Sequence, residues 1–430
     1  MSAPALQQDL LAAAVTALPA DKLSVVRDAA LASFTASGWP TKNDEDWKYT
    51  SLAGAAAISN AWLQDMANAS RPDGAAVDTG ITEQVDAYWL SIKNGMVDPE
   101  SLRRLDSLAA QGITISRLAD GIGEDAIARD DPMSAFNAAL LQDGLLIRAA
   151  SGARLDKPIG IVLADDGSVA VTQFRVLLEI GENAKLQLVE CSLSGGNDEQ
   201  FQNSVMQVML SAGAALDVVR MQQRQSEHLS VNRVAARLAH DAVFDYSGFD
   251  FGGRLARNDI VADIVGEGAV VKLRGLYLAG GRQHIDNHTR VDHRVGPATS
   301  SEDYRGILSG RSRCVFNGKA IVHPGADGTD ADQSNHNLLL SEKAEIDTKP
   351  ELEIYADDVK CSHGATVGQL DQSAIFYLRS RGLDESQATQ FLTRAFASTI
   401  ADRLPIACCH QYLVSAMDAK LDALISEDTP

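Results

Sequence analysis

The segment from Asp357 to Gly368 contains the pair of residues best suited to chemistry, Cys361 and His363. If this segment is extended, side chains at positions i and i+2 point to the same face of the strand. A thiolate and an imidazole would then lie side by side, and both are ligands that iron and zinc accept in proteins. The alternative is a packed thiol beside a hydrogen-bonded imidazole, because free cysteine is commonly a small core residue.

A second group of metal-type residues crowds into ten positions further upstream. It comprises three histidines and two aspartates: His284, Asp286, His288, Asp292 and His293. In a strand, the first four of these would share one face and the last would point to the other. A solvated or hydrogen-bonded strand face explains such a pattern, and a metal site is the alternative.

The composition bounds the class of protein. The chain has 430 residues, of which 45% are apolar and 22% are charged, as in soluble globular proteins of two or three domains. Its net charge of −20 argues against binding to nucleic acid or to an anionic membrane, because both need a basic surface. No apolar run approaches the roughly 18 residues of a membrane span, and the N-terminus lacks the basic and apolar pattern of a signal peptide.

The five cysteines are scattered along the chain, and no Cys-x-x-Cys pair occurs. This is not the pattern of a disulfide framework or of a zinc or cluster cage built by one chain. We therefore expect a reducing, cytoplasmic compartment. Cys191 and Cys314 lie in strand-like runs and are predicted to be packed, whereas the adjacent Cys408 and Cys409 are not expected to form one site.

Residues 1–140 are predicted to form a helical and mixed N-terminal domain. Asp21 is a candidate N-cap for a helix in this region. Trp47 lies in an aromatic and charged run and is predicted to anchor the N-terminal helices to the body of the protein. Asn94 and Gly95 form a hairpin-turn signal after a short strand.

Residues 141–367 are predicted to form a β-rich core. Short β-branched runs alternate there with Gly, Asn and Asp turns, and one pattern recurs just after a turn, in which an alanine precedes alternating apolar and polar residues. The copies begin at the following alanines: Ala184, Ala214, Ala242, Ala269 and Ala344. The first three intervals are 30, 28 and 27 residues, and the longer last gap leaves room for divergent copies. Self-similarity at this period is typical of a solenoid.

The period and the strand lengths favour the coils of a parallel β-helix over propeller blades, which need roughly 40 residues or more. A β-sandwich is the alternative, since it is also built from many alternating strands. A solenoid has two exposed ends that must be covered, and the flanking helical segments are the expected caps. The predicted fold class is therefore mainly β.

Residues 368–430 are predicted to form a C-terminal helical domain, with a second amphipathic helix over 406–425. The run from Asp384 to Gln387 resembles a capping box at the start of the first helix. An apolar stripe follows at 3–4 spacing, and it packs either on its own domain or on another protein. The stripe residues considered for docking a partner are Phe391, Leu392, Ala395, Phe396 and Ile400.

Catalytic motifs are few in this chain. The run Asn317–Ala320 contains Gly-Lys as a P-loop does, but it lacks the upstream glycine spacing and the final Ser or Thr. Neither a Gly-x-Ser-x-Gly elbow nor a His-Glu-x-x-His motif occurs. We therefore expect neither enzyme activity nor a nucleotide site in this chain.

The run Asp357–Gly368, followed by Phe376–Gly382, closely resembles the SufB/SufD family of iron–sulfur cluster assembly scaffolds. The similarity extends from about residue 20 to 425, and its further stretches are Glu45–Thr50, Asp143–Pro158, His284–His288 and Thr348–Ile354. The joint match is specific, whereas any one stretch alone would be weak. At the turn 363–366, where the SufB branch is expected to have a glutamate after the histidine, this chain has a glycine and resembles the SufD branch.

The resemblance implies a right-handed parallel β-helix with helical terminal domains, and a heterodimer with SufB formed through the β-helix. It also implies that the ATPase SufC docks on the C-terminal helices, which explains why this chain needs no P-loop. A transient iron–sulfur cluster is expected at the interface with SufB, where this chain contributes His363. Cys361 is a neighbouring candidate of lesser weight, since the family's main cluster cysteine and glutamate belong to SufB.

Two other functions stay open from the residues alone. A carbohydrate-active β-helix enzyme would use clustered aspartates on a coil face, although such enzymes usually act outside the cell. A homo-oligomeric scaffold would need no partner of another kind.

Overall fold

The computed structural model describes residues 8–65, 76–121, 127, 130–196 and 198–427. Its core is a parallel β-solenoid of about eight turns, with helices before and after it. The strands are β1 (Tyr88–Lys93), β2 (Met96–Val97), β3 (Ile113–Arg117), β4 (Leu145–Ala149), β5 (Ile159–Asp165), β6 (Val171–Ile180), β7 (Lys185–Ser194), β8 (Gln200–Leu210), β9 (Ala215–Gln223), β10 (His228–Leu238), β11 (Val243–Asp250), β12 (Leu255–Ile264), β13 (Val270–Ala279), β14 (His284–His293), β15 (Thr299–Leu308), β16 (Arg313–Val322), β17 (Asp330–Leu339), β18 (Glu345–Ile354) and β19 (Lys360–Gly368).

The α-helices lie in the two terminal segments of the chain. They are α1 (Gln8–Ala17), α2 (Ser24–Ser37), α3 (Ala53–Asp65), α4 (Ile81–Gln84), α5 (Pro99–Arg104), α6 (Leu118–Gly121), α7 (Pro132–Ala139), α8 (Gln372–Ser380), α9 (Glu385–Ala401) and α10 (His410–Glu427). The first seven residues of the predicted N-terminal domain lie outside the described residues. The domain boundaries proposed at 140–141 and 367–368 stay a prediction.

Strand pairing defines the solenoid. The odd-numbered strands from β5 to β19 pair in chain order within a ten-stranded sheet that also holds β1 and β2, and the even-numbered strands from β4 to β18 pair likewise in a nine-stranded sheet with β3. These successive pairs are parallel, as where Lys185 of β7 lies opposite Ala215 of β9. Each turn therefore contributes one strand to each sheet. The parallel β-helix is confirmed, and the β-sandwich alternative is wrong.

The recurring alanines stack at one corner of the solenoid. Four of them precede strands of the ten-stranded sheet and are fully buried: Ala184, Ala214, Ala242 and Ala269. Backbone bonds connect them from turn to turn, as in the 2.9 Å bond from the N–H of Ala215 to the carbonyl oxygen of Ala184. The assignment of Ala344 to this series is wrong, because Ala344 precedes β18, which belongs to the other sheet. The equivalent positions in the long gap are Ala298 and Thr329.

The larger helices lie on the outer faces of the two sheets. Helices α2 and α7 cover the nine-stranded sheet, where the ring of Phe136 contacts those of Phe34 and Phe201. Helices α9 and α10 cover the ten-stranded sheet, where Ile400 joins the core that contains Val219. The expectation that helices cap both ends of the solenoid is therefore wrong for the C-terminal end, where β18 and β19 are the last strands and are largely exposed.

Three local signals have different outcomes. The hairpin at Asn94 and Gly95 is confirmed, since both residues have positive φ and connect the antiparallel strands β1 and β2. The capping box is confirmed, because the Asp384 side chain accepts a hydrogen bond from the N–H of Gln387 and the reciprocal bond is also present. Asp21 is wrong as an N-cap, because α2 begins at the third residue after it.

Replacing Ala214 with leucine should destabilise the solenoid, because the corner is fully buried and the adjacent turns leave no room for a larger side chain. We expect the free energy of unfolding to fall by about 1–3 kcal/mol, measured by urea unfolding. The matched control is Ala423→Leu at an exposed position of α10, which should change the free energy of unfolding by less than about 0.5 kcal/mol. Equal effects of the two substitutions would contradict the stacked corner.

Candidate functional site at the end of the solenoid

Strand β19 places Cys361 and His363 on the inner face of the last turn. In the register with β17, Cys361 lies opposite Ala331 and His363 lies opposite Gln333. Both β17 residues are only 1% exposed, because they face the lumen between the two sheets. The prediction that the two side chains share one face is therefore confirmed. Since β19 ends its sheet, His363 is exposed and Cys361 is only partly buried.

The chemistry available at this position is that of an incomplete metal site. Burial raises the pKa of the Cys361 thiol above its ordinary value, so a metal would have to displace the thiol proton. Among the described residues, no group of three or more His, Cys, Asp or Glu side chains is placed to hold a metal ion. Cys361 and His363 could supply two ligands, and a cluster at this end would need the others from a second molecule.

A buried polar chain lies below His363 in the lumen. Glu302 of β15, Gln333 of β17 and His363 occupy one column, because each lies opposite the next in the parallel register. Nε2 of Gln333 donates to Oε1 of Glu302 at 3.1 Å, and Oγ1 of Thr289 donates to the other carboxyl oxygen. Burial raises the pKa of Glu302 to about 7, although these two hydrogen bonds act in the opposite direction. The carboxyl is therefore partly protonated near neutral pH.

The two outermost strands present different edges. The N–H of Lys360 bonds the carbonyl oxygen of Thr329 at 2.8 Å, so in a parallel ladder the alternate residues direct their backbone N–H and C=O groups away from β17. These residues are Cys361, His363, Ala365 and Val367. In β18, one of the positions that face the edge is occupied by Pro350, which has no N–H to offer. The edge of β19 contains no proline and is more open to a further strand.

The histidine and aspartate group at 284–293 forms a hydrogen-bonded face, as the sequence indicates. Oδ2 of Asp286 accepts a hydrogen bond from Nη1 of Arg257 at 2.6 Å and another from Thr50. The Thr50 hydroxyl also lies 2.7 Å from Nε2 of His284. Although burial opposes it, the Arg257 guanidinium holds the pKa of Asp286 well below its usual range. This carboxylate is committed to an ion pair.

Trp47 anchors the N-terminal segment to the same face, as predicted. The Arg257 guanidinium lies 4.3 Å from the centroid of the Trp47 ring and donates to the backbone oxygen of Asp46 at 2.8 Å. Trp47 itself is buried. This cation–π contact ties the N-terminal helices to β12 of the solenoid.

The remaining cysteines lie away from the last turn. Cys191 and Cys314 are fully buried, and burial raises the pKa of Cys191 to about 12, so the packed interpretation is confirmed. Cys408 is exposed, whereas its neighbour Cys409 is buried in the core between the C-terminal helices and the sheet. The two adjacent thiols therefore have different surroundings.

The predicted docking stripe on α9 divides into a buried part and an exposed part. Ile400 is only 1% exposed and belongs to the core of its own chain. Phe396 and Leu392 are half-buried. Phe391 is 58% exposed, and Ala395, one turn further along, is also exposed. The surface open to another protein is therefore the outer side of α9 around Phe391.

Two exposed aromatic side chains on α8 were not predicted from the sequence. Phe376 is 75% exposed and Tyr377 is 56% exposed, and α8 packs against α9. Large exposed apolar side chains concentrated in one segment are typical of an interaction surface. The available signal was their position in the family-like run 376–382.

Comparison with known proteins identifies the family. A family model described as the SUF system FeS cluster assembly, SufBD core domain, matches residues 162–396, which is more than half of the chain. The chain belongs to the SufB/SufD family. The iron–sulfur cluster assembly protein SufD of Escherichia coli strain K12 is 31% identical to it over 378 residues, which cover 86% of each chain.

Other relatives agree with this assignment to the SufB/SufD family. The SufBD family protein slr0076 of Synechocystis is 28% identical over 86% of this chain and 84% of its own length. SufD of Bacillus subtilis is 26% identical over 70% of this chain and 69% of its own length. The prediction that the chain is SufD-like is confirmed. Its membership in the SufB/SufD family supports a role in iron–sulfur cluster assembly. Within the described ranges, none of the helices has the length and apolarity needed to cross a membrane.

Glu302→Gln should change how stability depends on pH. A carboxyl whose pKa is raised on folding stabilises the folded state below about pH 4.5, and that contribution is lost as the pH rises through about 7. Between these values, the free energy of unfolding of the wild type should fall by about 3 kcal/mol relative to that of the variant.

Urea unfolding across this pH range measures the effect, with Glu83→Gln at an exposed position as the matched control. The control should follow the wild-type profile. Parallel profiles for the wild type and Glu302→Gln would show that the raised pKa of Glu302 is wrong.

Proposed function

We propose that this chain is a cytoplasmic, non-catalytic scaffold subunit for iron–sulfur cluster assembly. It pairs with SufB through the open edge of β19, and the ATPase SufC docks on its C-terminal helices. A nascent cluster forms where the two scaffold chains meet and is then transferred to apo-proteins. The observation that carries this proposal is the position of His363, which faces the lumen on β19, beside a sheet edge that no strand of the described residues covers.

A site divided between two chains suits a scaffold, because a scaffold must release what it builds. Four ligands on one rigid loop hold a cluster in place, whereas a motion between two chains withdraws several ligands together. In this chain His363 is the main ligand for the nascent cluster, and Cys361 is the second candidate. The residues that complete the site belong to SufB.

The edge of β19 supports the proposed mode of pairing. A strand added there would receive backbone hydrogen bonds from alternate residues of β19, which include His363. Because these residues also point their side chains into the lumen, the partner strand would bring its own side chains next to Cys361 and His363. Pairing and site assembly are therefore one event.

We assign the nucleotide chemistry to SufC, so that this chain binds no nucleotide. The exposed side chains of Phe376, Tyr377 and Phe391 support a docking surface on α8 and α9. ATP-dependent dimerisation of SufC would then move the C-terminal helices of both scaffold chains. Such a motion changes the cluster site only if SufC binds the two states with different free energies.

The carbohydrate-active alternative is not retained, because the chain belongs to the SufB/SufD family. The aspartates on the outer face of β14 also have structural partners, since Asp286 pairs with Arg257 and Asp292 pairs with Arg290. The mass of the purified chain, measured alone and with SufB and SufC, distinguishes a homo-oligomeric scaffold from the proposed complex. A homo-oligomer would keep the same mass when SufB and SufC are added.

His363→Ala should lower the cluster content of the co-expressed complex with SufB and SufC by tenfold or more. Loss of a group that only orients a ligand already lowers metal affinity about 10- to 100-fold. The complex should keep its mass, because His363 is exposed at the last turn and its removal leaves no buried cavity. The matched control is His336→Ala, which removes an imidazole from the outer face of β17. Normal cluster content in His363→Ala would exclude His363 as a ligand.

Ala365→Pro should weaken pairing with SufB while leaving this chain folded. The N–H of Ala365 faces the open edge, so proline there removes no bond to β17 but does remove a donor for a partner strand. We expect the dissociation constant to rise about tenfold or more, since a buried carbonyl of the partner loses its donor.

Light scattering of mixtures with SufB measures this pairing, and circular dichroism confirms the fold. Ala365→Ser keeps the N–H and is the matched control. Unchanged affinity of Ala365→Pro would show that SufB binds elsewhere.

Phe391→Asp should weaken the binding of SufC, because it puts a charge into the exposed apolar part of α9. A loss of about 2 kcal/mol or more is expected for a central aromatic side chain, measured by calorimetric titration. Val25→Asp is the matched control, since Val25 is a 54% exposed apolar residue on α2. If both variants bind SufC like the wild type, the dock on α9 is misplaced.

A further inference from the structure

Gln333 has an unpaired hydrogen-bond acceptor at the lumen end of the site. Its side chain is 1% exposed, and its Nε2 donates to Glu302 at 3.1 Å. Its Oε1 is buried and has no hydrogen-bond partner among the described residues. A buried carbonyl oxygen without a donor costs about 1–3 kcal/mol. An orphaned atom in a side chain that is otherwise bonded requires an explanation.

The register places His363 on the side of Gln333 opposite Glu302. Gln333 lies between Glu302 on one side and His363 on the other, in strands about 4.8 Å apart. The oxygen and nitrogen of a carboxamide point in different directions, so a bond from Nε2 to Glu302 turns Oε1 away from that carboxyl. The next side chain in that direction is His363, because β19 is the last strand of the sheet.

The column that ends at His363 changes its character along the solenoid. Its members before Glu302 are two tyrosines and four aliphatic residues, in chain order Tyr88, Ile159, Leu188, Val218, Tyr246 and Leu273. The last three positions, Glu302, Gln333 and His363, are consecutive polar side chains that carry a carboxyl, an amide and an imidazole. Burying Glu302 and Gln333 is unfavourable unless they are hydrogen-bonded. An unbroken run of polar side chains therefore lies directly below the proposed ligand.

We infer that Gln333 is a positioning residue, which accepts a hydrogen bond from one imidazole N–H of His363 and directs the other ring nitrogen out of the solenoid. A neutral imidazole has one N–H donor and one nitrogen lone pair. Holding the N–H on Gln333 selects the tautomer and ring orientation in which the lone pair faces the partner chain. The inference rests on the proposed role of His363 as a cluster ligand and adds the group that orients it.

Glu302 determines which way the amide of Gln333 faces. An inverted amide would set Oε1 against the Glu302 carboxylate with no proton between the two oxygens. The observed orientation is therefore preferred whenever Glu302 is ionised, and Thr289 donates to the other carboxyl oxygen and holds it in place. The chain from Thr289 through Glu302 to Gln333 thus presents an acceptor at the open end.

Nitrogen-15 spectra of the histidines in the full-length chain test this hydrogen bond, with His363→Ala used to assign the resonance. In the wild type, His363 should show a single tautomer and an imidazole proton protected from exchange. Gln333→Met has a similar length but no amide, and it should give mixed tautomers and lose the protected proton. Gln333→Glu keeps an oxygen acceptor and should keep the single tautomer.

The matched control is Gln202→Met, the same change at a buried lumen glutamine of β8, several turns from His363. It should leave the His363 signal unchanged. Identical His363 signals in the wild type and Gln333→Met would overturn the inference, since water at the open end would then satisfy both groups.

A second measurement separates this inference from the scaffold role. In the complex with SufB and SufC, Gln333→Met should weaken cluster binding about 10- to 100-fold, as loss of a group that orients a ligand does, at unchanged complex mass. If the spectra change as expected while cluster content stays normal in both Gln333→Met and His363→Ala, the hydrogen bond is upheld and the ligand role of His363 is overturned.

Discussion

Backbone hydrogen bonds between successive turns hold the solenoid together, and each strand leaves one row of N–H and C=O groups for the turn that follows. At β19 this row has no partner in the described chain. The lumen side chains of the same turn are covered from one side only. Cys361 and His363 are therefore accessible, although they continue the columns of the buried Ala331 and Gln333. The accessibility of Cys361 and His363 and the open edge of β19 have one cause, which is that the solenoid ends at this strand.

The C-terminal helices connect this end of the solenoid to the exposed aromatic side chains of α8 and α9. Helix α9 contacts β15 where the Arg305 guanidinium lies 4.8 Å from the centroid of the Phe396 ring. Just after the end of α9, Arg403 forms an ion pair with Asp303 of β15. Strand β15 also carries Glu302 on its opposite face. Helix α9 therefore packs on a strand whose inner face supports the column below His363.

Features set by local spacing could be predicted from the sequence. The repeat of about one turn follows from the small side chain needed at each buried corner, and the shared face of Cys361 and His363 follows from the period of a strand. Features set by distant parts of the chain could not. Thr50 contacts Asp286 across 236 positions, and Glu302 meets Gln333 across 31. Nothing in the local sequence distinguishes Glu302 from the other carboxylates of an acidic chain.

The spacing of apolar residues also could not predict where the terminal helices pack. The pattern of α9 identifies an apolar stripe, but the position of the sheet decides which residues it buries, so Ile400 is in the core while Phe391 is exposed. The expected helical caps are wrong at the C-terminal end for the same reason, since amphipathic helices cover whichever apolar face the chain path brings near.

The ligand role that we propose for His363 is tested most directly by isotope labelling of one chain. Complexes are assembled from this chain with nitrogen-15 histidine and from unlabelled SufB and SufC, and the reduced, paramagnetic cluster is examined by electron–nuclear double resonance. The account predicts a nitrogen-15 coupling at the cluster that disappears in His363→Ala and persists in His336→Ala. A cluster without any nitrogen-15 coupling would contradict it.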